Sequence, residues 1–293
     1  MKYHFVAFLT VAIWGSTFVF TKMLLQSGLS PAQIFTLRFL IAYVLMLAGS
    51  FLARKNMQLF CSSWRDELLM LLLGITGGSV YFLTENAALL FTTATNTSLI
   101  VCTCPLFAML LVAVVYRHSE HISKIQALGS LIACAGMAVV VLNGHFVLHL
   151  SPRGDLLAFA ACLCWAFYSL FMKIALKRYN NLFITRKVFF YGLITIIPYY
   201  LFEPGFPSLA TILSPGVLWN LLFLGVVASM LCYIVWNWVI SRLGAVVATN
   251  WVYFNPITTI LFAWWLLDEV ITPWFLLGTT LILLGMMLSD RKG

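Results

Sequence analysis

The stretch Trp14-Gly-Ser-Thr-Phe-Val-Phe-Thr-Lys22 returns as Trp165-Ala-Phe-Tyr-Ser-Leu-Phe-Met-Lys173. Both copies lie in apolar runs, and each sets a lysine eight residues after a tryptophan. Trp14 and Trp165 are 151 residues apart, about half of the 293-residue chain. The same offset pairs Gly74 with Gly225, Asn86 with Asn237 and Pro105 with Pro256. A small change of register, as an unequal loop would give, pairs Arg38 with Arg186 and Tyr43 with Tyr191 at 148. At 149 it pairs Glu120 with Glu269, Gly129 with Gly278 and Gly136 with Gly285. Uncommon residue types matching in one order indicate an internal duplication, with repeats at 1–150 and 151–293.

The composition names the solvent. Hydrophobic residues make up 62% of the chain and charged ones 9%, with a mean hydropathy of +1.00. A soluble domain carries roughly 25% charged residues, so most of this surface must face lipid. The net charge of +8 forms no stripe or patch that would read as a nucleic-acid site. Its cations fall in short segments between apolar runs, where they set orientation in a bilayer. Six of the seven cysteines (Cys102, Cys104, Cys134, Cys162, Cys164 and Cys232) sit inside apolar runs. The i,i+2 spacing of two pairs among them puts thiols on roughly opposite sides of a helix, which suits packing rather than metal or redox chemistry. The first run begins at Phe5 without a small-residue cleavage site and reads as a retained span.

A spanning helix needs about 20 mostly apolar residues, and ten such segments are predicted. They fall near 5–25, 31–53, 68–91, 96–116, 124–142, 154–175, 182–202, 216–240, 245–266 and 273–289. The break between the third and fourth comes from the polar run Thr92-Thr-Ala-Thr-Asn-Thr97, because Asn86 to Tyr116 is too long for one uncharged span. With the termini inside, the inner side receives Lys2, Arg54, Lys55, Arg65, Arg117, Lys124, Lys173, Lys177, Arg178, Arg186, Lys187, Arg242, Arg291 and Lys292. The outer side receives Lys22, Arg38 and Arg153. That asymmetry predicts cytoplasmic termini. Five spans per repeat is an odd number, so the second repeat enters the membrane from the opposite face. The expected fold class is an all-α polytopic membrane protein, ten transmembrane helices in two inverted five-helix repeats, with a substrate site near midplane between them.

These residues resemble the drug/metabolite transporter superfamily, specifically its ten-helix EamA-type transporters. The matching features are Trp14-Gly-Ser-Thr-Phe18, Arg38-Phe39, Pro105, and Glu120 with Gly129 and Gly136. Their counterparts Pro256, Glu269, Gly278 and Gly285 extend the match over essentially the whole chain. The resemblance implies a plasma-membrane carrier, in bacteria of the inner membrane, for small metabolites or amphipathic compounds. It implies frequent export and no ATP hydrolysis.

Charge inside a span is the most informative chemistry, since it costs roughly 2.5–3.5 kcal/mol at bilayer centre even on the lenient scale. Lys22, Arg38 and Glu85 fall in the outer halves of their helices, and the similar depth of Arg38 and Glu85 permits an ion pair. They read either as a substrate or proton site or as a structural pair with Lys22 snorkelling. Trp236 stands where Glu85 would repeat, so Glu85 is the only carboxylate deep in a span and the candidate for proton coupling. Lys173, Arg186 and Lys187, near the other surface, read as anchors.

Trp14, Thr17, Phe18 and Thr21 share one face of the first helix, and Trp165 with Tyr168 matches them on the sixth. Tyr81 precedes Glu85 by one turn, and Asn237, Asn250 and Tyr253 add amphipathic groups. The candidate substrate-binding set is therefore Trp14, Thr17, Thr21, Arg38, Tyr81, Glu85, Trp165, Tyr168, Asn237, Asn250 and Tyr253. Interfacial belts and helix packing are the competing fate of such aromatics. Pro105 and Pro256 should kink their helices, and the glycines seven apart should allow close helix packing.

His4, His118, His121, His145 and His149 lie in loops or at the terminus, without a metal-ligand pattern, and no cofactor or catalytic set is expected. The function expected is secondary transport, by an exporter of small amphipathic metabolites such as amino acids, with proton coupling through Glu85. Its partners are the small-molecule substrate and the bilayer, with no nucleic acid, as a monomer or homodimer. The alternative is an intramembrane enzyme acting on lipid or isoprenoid, for which Asp268-Glu269 is the one acidic candidate.

Overall fold

Helices follow the ten apolar runs. The computed structural model describes residues 2–52, 58–92, 94–115, 123–142, 151–202, 205–267 and 273–289. In chain order, α1 is Lys2–Gln26 and α2 is Pro31–Leu52. Helix α3 is Trp64–Phe91, and α4 comprises Ala94–Val101 and Cys104–Val115. Helix α5 is Lys124–Leu142 and α6 is Pro152–Ala175. Then come α7 (Asn181–Leu201) and α8 (Pro215–Leu243). Helix α9 runs from Ala245–Asn250 through a 3-10 turn at Trp251–Phe254 into Asn255–Leu267, and α10 is Pro273–Ser289. Among the described residues seven helices are long and apolar enough to cross a membrane, and the shorter Cys104–Val115, Lys124–Val139 and Leu276–Ser289 are apolar too. The chain is an all-α polytopic membrane protein.

Local chemistry sets the helix starts. Ser63, Ser151 and Asn180 sit in extended backbone and accept hydrogen bonds from Asp66, Gly154 and Phe183 N–H, capping α3, α6 and α7. Between α8 and α9 the chain turns at Gly244 with φ +82°, a conformation that costs glycine little. The outer surface carries large apolar side chains such as Phe5, Val114, Leu201 and Leu276, as lipid contact demands.

The two halves match in detail. Helix α3 is widened and kinked over Ile75–Ser79, with non-helical backbone at Gly78 (φ −130°, ψ −106°). Helix α8 has a π-helical stretch at Phe223–Leu231, so the 151-residue offset carries the first into the second. Helices α4 and α9 also break at equivalent places, at 102–103 and at Trp251–Phe254. Pro105 and Pro256 do not kink continuous helices, contrary to the expectation. Each occupies the first turn of a restarted helix, where its missing N–H leaves no bond unmade.

The closest helix pairings cross between halves: α5 with α10, α3 with α6, α1 with α9, α2 with α8, and α3 with α7. Gly129 and Gly285 make the first of these possible. A Cβ on Gly129 would run into the Ser289 and Gly285 backbone, and one on Gly285 into that of Ala133 and Gly129. Glu120, Glu269, Asp268, Arg117, His118, His121, His145 and His149 lie outside the described residues.

Candidate functional site

A cavity lies where the halves meet, and four of its lining pairs are duplication mates. Trp14 and Trp165, Phe82 and Tyr233, Val101 and Val252, and Cys104 and Asn255 all line it, each pair 151 residues apart. The π turns and helix breaks put these side chains there. Trp14 donates its indole N–H to the Ala228 carbonyl at 2.9 Å, inside the α8 π turn. Tyr233 donates its hydroxyl to the Gly77 carbonyl at 2.5 Å, inside the α3 π turn. A π turn widens the backbone helix and recurs at functional sites. Here its carbonyls serve as acceptors for the opposite half.

The remaining lining groups are Thr17, Phe18, Arg38, Tyr81 and Glu85, all from the first half. Polarity is thus one-sided. Glu85 is buried and accepts a hydrogen bond from the Tyr81 hydroxyl at 3.1 Å. Arg38, 2% exposed, donates from Nε to Ser229 Oγ at 2.9 Å and lies 4.3 Å from the Phe82 ring centroid. Arg38 and Glu85 share the cavity but do not form the ion pair that their depth permits. Among the described residues the ion pairs are Arg178–Asp66 and Lys187–Glu67. Ser229 holds the guanidinium from α8, while Tyr81 holds the carboxylate on its own helix.

Two more polar atoms are open to an occupant. The indole nitrogen of Trp165 and the side-chain oxygen of Asn255 are buried without a hydrogen-bond partner. Polar atoms of Asn86, Asp155, Trp236 and Tyr253, away from the cavity, are buried in the same way, so the first two are available to an occupant without requiring one. Aromatic rings close the walls. Trp14 meets Trp165 edge-on at 5.3 Å between centroids, and Trp165 lies 5.2 Å from Tyr81. The space open at the centre is about 30 Å³, enough for very few waters. Anything larger than a few waters would need the walls to part.

Of the candidate residues, the cavity gathers Trp14, Thr17, Arg38, Tyr81, Glu85 and Trp165. Thr21, Tyr168, Asn237, Asn250 and Tyr253 do not line it. Tyr168 packs its ring on Gly77 and donates to Asn237, which donates in turn to Thr185. Asn250 bonds Ser289 and Ser130 beneath α10, and Tyr253 is fully buried. Lys22 reaches the Leu89 and Thr92 carbonyls at the end of α3, a cation placed where a helix dipole favours it. Lys187 is no surface anchor: it is 5% exposed and bonds Glu67. Tyr233 and Asn255, absent from the sequence-derived set, are the mates of Phe82 and Cys104. Neither of those two stands out in the sequence as a site residue, so the offset alone does not reach them.

A cavity on the seam between two like halves of a membrane-embedded helical bundle is the architecture of a small-molecule transporter. The chain belongs to the EamA-like transporter family, whose profile matches residues 1–142 and 152–289. It is 28% identical to an uncharacterized transporter of Archaeoglobus fulgidus, over 99% of this chain and 98% of that one. It is 27% identical to a probable terminal-alkyne amino-acid exporter of Streptantibioticus cattleyicolor, over 97% of this chain and 92% of the relative. A probable amino-acid metabolite efflux pump of Escherichia coli K12 is 26% identical, over 97% and 93%. A solved crystal structure superposes with a TM-score of 0.76 at 17% identity, covering 98% of this chain and 95% of its own, which shows a shared fold.

Proposed function

We propose that this transporter exports amino acids or close zwitterionic relatives, in exchange for protons, across the plasma membrane. The observation that carries the reading is that Arg38 and Glu85 face one aromatic-walled cavity without pairing. A zwitterion satisfies both: its carboxylate meets the guanidinium, a charge-assisted contact, and its ammonium meets the carboxylate. Trp14, Trp165, Tyr81 and Phe82 then offer apolar faces to a side chain. The names of the two amino-acid relatives support the same substrate class. Proton exchange rests on Glu85, which a proton neutralises when the ammonium leaves.

The test is thermal stabilisation of the purified protein by amino acids and by derivatives capped at one end. Binding stabilises the native state by mass action. Apolar amino acids should raise the unfolding temperature, while their amides and N-acetyl forms should bind at least tenfold more weakly, about 1.4 kcal/mol. Equal binding of capped and free forms would sink the zwitterion reading.

A further inference from the structure

Helix α3 begins with two carboxylates that grip the other half of the chain. Asp66, 6% exposed, accepts hydrogen bonds from Arg178 Nη1 at 2.5 Å and from the Tyr179 hydroxyl at 2.9 Å. Glu67 accepts from Lys187 Nζ at 2.8 and 2.9 Å and from the Tyr191 hydroxyl at 2.6 Å. The backbone N–H of Cys61 adds a bond to Glu67 at 2.7 Å. Every side-chain partner except Ser63 comes from the second half.

Position gives this cluster its meaning. From Glu67 to Tyr81, the first cavity residue on α3, is roughly 21 Å along the helix, whereas Glu85 lies roughly 9 Å from its far end at Phe91, at 1.5 Å per residue. The cavity therefore lies toward the Phe91 face. Between Glu67 and Tyr81 along α3 lies Gly77, whose carbonyl takes the Tyr233 hydroxyl and against which the Tyr168 ring packs. Tyr168 is bonded on to buried Asn237.

The two faces are closed differently. At the offset of 151, Asp66 and Glu67 correspond to Val217 and Leu218, and at 148 Lys187 corresponds to Phe39. The opposite face is joined between halves by neutral bonds, Tyr200 to Thr36 at 2.8 Å and Gln33 to the Gly205 carbonyl at 2.6 Å. Among the described residues the ionic clasp is therefore on one side.

We propose that Asp66 and Glu67, clasped to Arg178 and Lys187 with Tyr179 and Tyr191, form the gate that shuts the transport path at the α3-start face. Opening to that face parts Glu67 from Lys187. Both carry charge in a confined site, so each needs water or another partner as they separate. The gate holds the carrier in the state described here until the cavity's occupancy favours the other. This requires a transporter that alternates between faces, whatever its substrate.

The test reads access. A cysteine placed by Thr185→Cys, fully buried on α7 beside the clasp residues, is labelled with a membrane-impermeant maleimide and followed by peptide mass spectrometry. Cys61 interferes little, because burial and the nearby Glu67 carboxylate push its thiol up to about 11 and the protonated thiol is unreactive. Adding Glu67→Gln should speed labelling at position 185 at least fivefold, while a second reporter off the path, Ser130→Cys, buried in the α5–α10 seam, labels no faster. The swap of Glu67→Lys with Lys187→Glu should restore slow labelling. Tyr191→Phe, a milder change for use should Glu67→Gln fail to fold, should raise the rate by a smaller factor. Unchanged labelling at 185 in the folded variant overturns the gate. So does equal acceleration at both reporters, which marks general loosening, or a folded swap that labels as fast as Glu67→Gln.

Discussion

The indole N–H of Trp14 is bonded to the Ala228 carbonyl at 2.9 Å, whereas that of its mate Trp165 is unpaired. The carbonyl equivalent to Ala228 is Gly77, and Tyr233 has taken it. The first half of the sequence has Phe82 where Tyr233 stands, so no hydroxyl competes with Trp14 for Ala228. Two residues equivalent by duplication therefore do different work: Trp14 fastens α1 to α8, and Trp165 presents a donor to the cavity.

That difference predicts opposite phenotypes. Trp14→Ala removes a buried ring and its bond, and a loss of about 3 kcal/mol, the lower end for large-to-small core changes, should show as a fall in unfolding temperature. Trp165→Phe leaves no bond unmade and should cost under about 1 kcal/mol of stability, yet weaken substrate binding. Thermal unfolding with and without substrate separates the two. Equal stability losses would contradict the division of labour.

Topology supplies a second prediction. The Lys and Arg asymmetry predicts cytoplasmic termini, so reporter fusions after Lys177 should read cytoplasm and those after Pro207 the outer side. The reverse pattern would place the ionic clasp outside and the Glu85 end of α3 within.

The α5–α10 seam gives a third. Gly285→Val drives a side chain into the Ala133 and Gly129 backbone, and overpacking of this kind costs roughly 1–3 kcal/mol. The unfolding temperature should fall, with substrate affinity of the surviving protein unchanged, because neither helix lines the cavity. A selective loss of affinity at normal stability would tie this seam to the site.

Much of this was legible because the duplication prints the same residues twice. Trp14 and Trp165 stood out by that route, and span lengths followed from apolar runs. Helix α4 was expected to bend at Pro105. That proline does mark the place, but as the first turn of a restarted helix after a break at 102–103 rather than as a kink in a continuous one. The π turns were hidden: in a helix apolar on every face, one wider turn leaves no mark on the pattern. Lys187 was misplaced because its depth was judged from the helix end. Its partner Glu67 lies 120 residues away, and no spacing rule joins them. The same holds for Arg38, whose bond to Ser229 spans 191 residues. Depth along a helix was readable, but not which neighbour each charge would meet.

The last prediction concerns Glu85. It is buried beside the cavity, its hydroxyl partner Tyr81 is on the same helix, and the second half offers Trp236 in its place. With the ammonium of a zwitterion bound, the carboxylate has a counter-charge. Once that group leaves, an ionised Glu85 faces the cavity with only Arg38 to balance it across the space, and a proton supplies the neutral alternative. Return of the empty carrier then moves Arg38 beside a neutral Glu85, so the proposed cycle carries one proton, and with it one net positive charge, inward for each zwitterion exported. Glu85→Gln keeps nearly the same size and the contact with Tyr81 but cannot ionise. In proteoliposomes it should lose accumulation driven by a pH gradient, while exchange down a substrate gradient persists at reduced affinity. The parent protein should accumulate more as the gradient steepens, and the variant should be indifferent to it. A variant that still concentrates substrate with the parent's pH response would remove Glu85 from the coupling and leave it a purely electrostatic partner of Arg38.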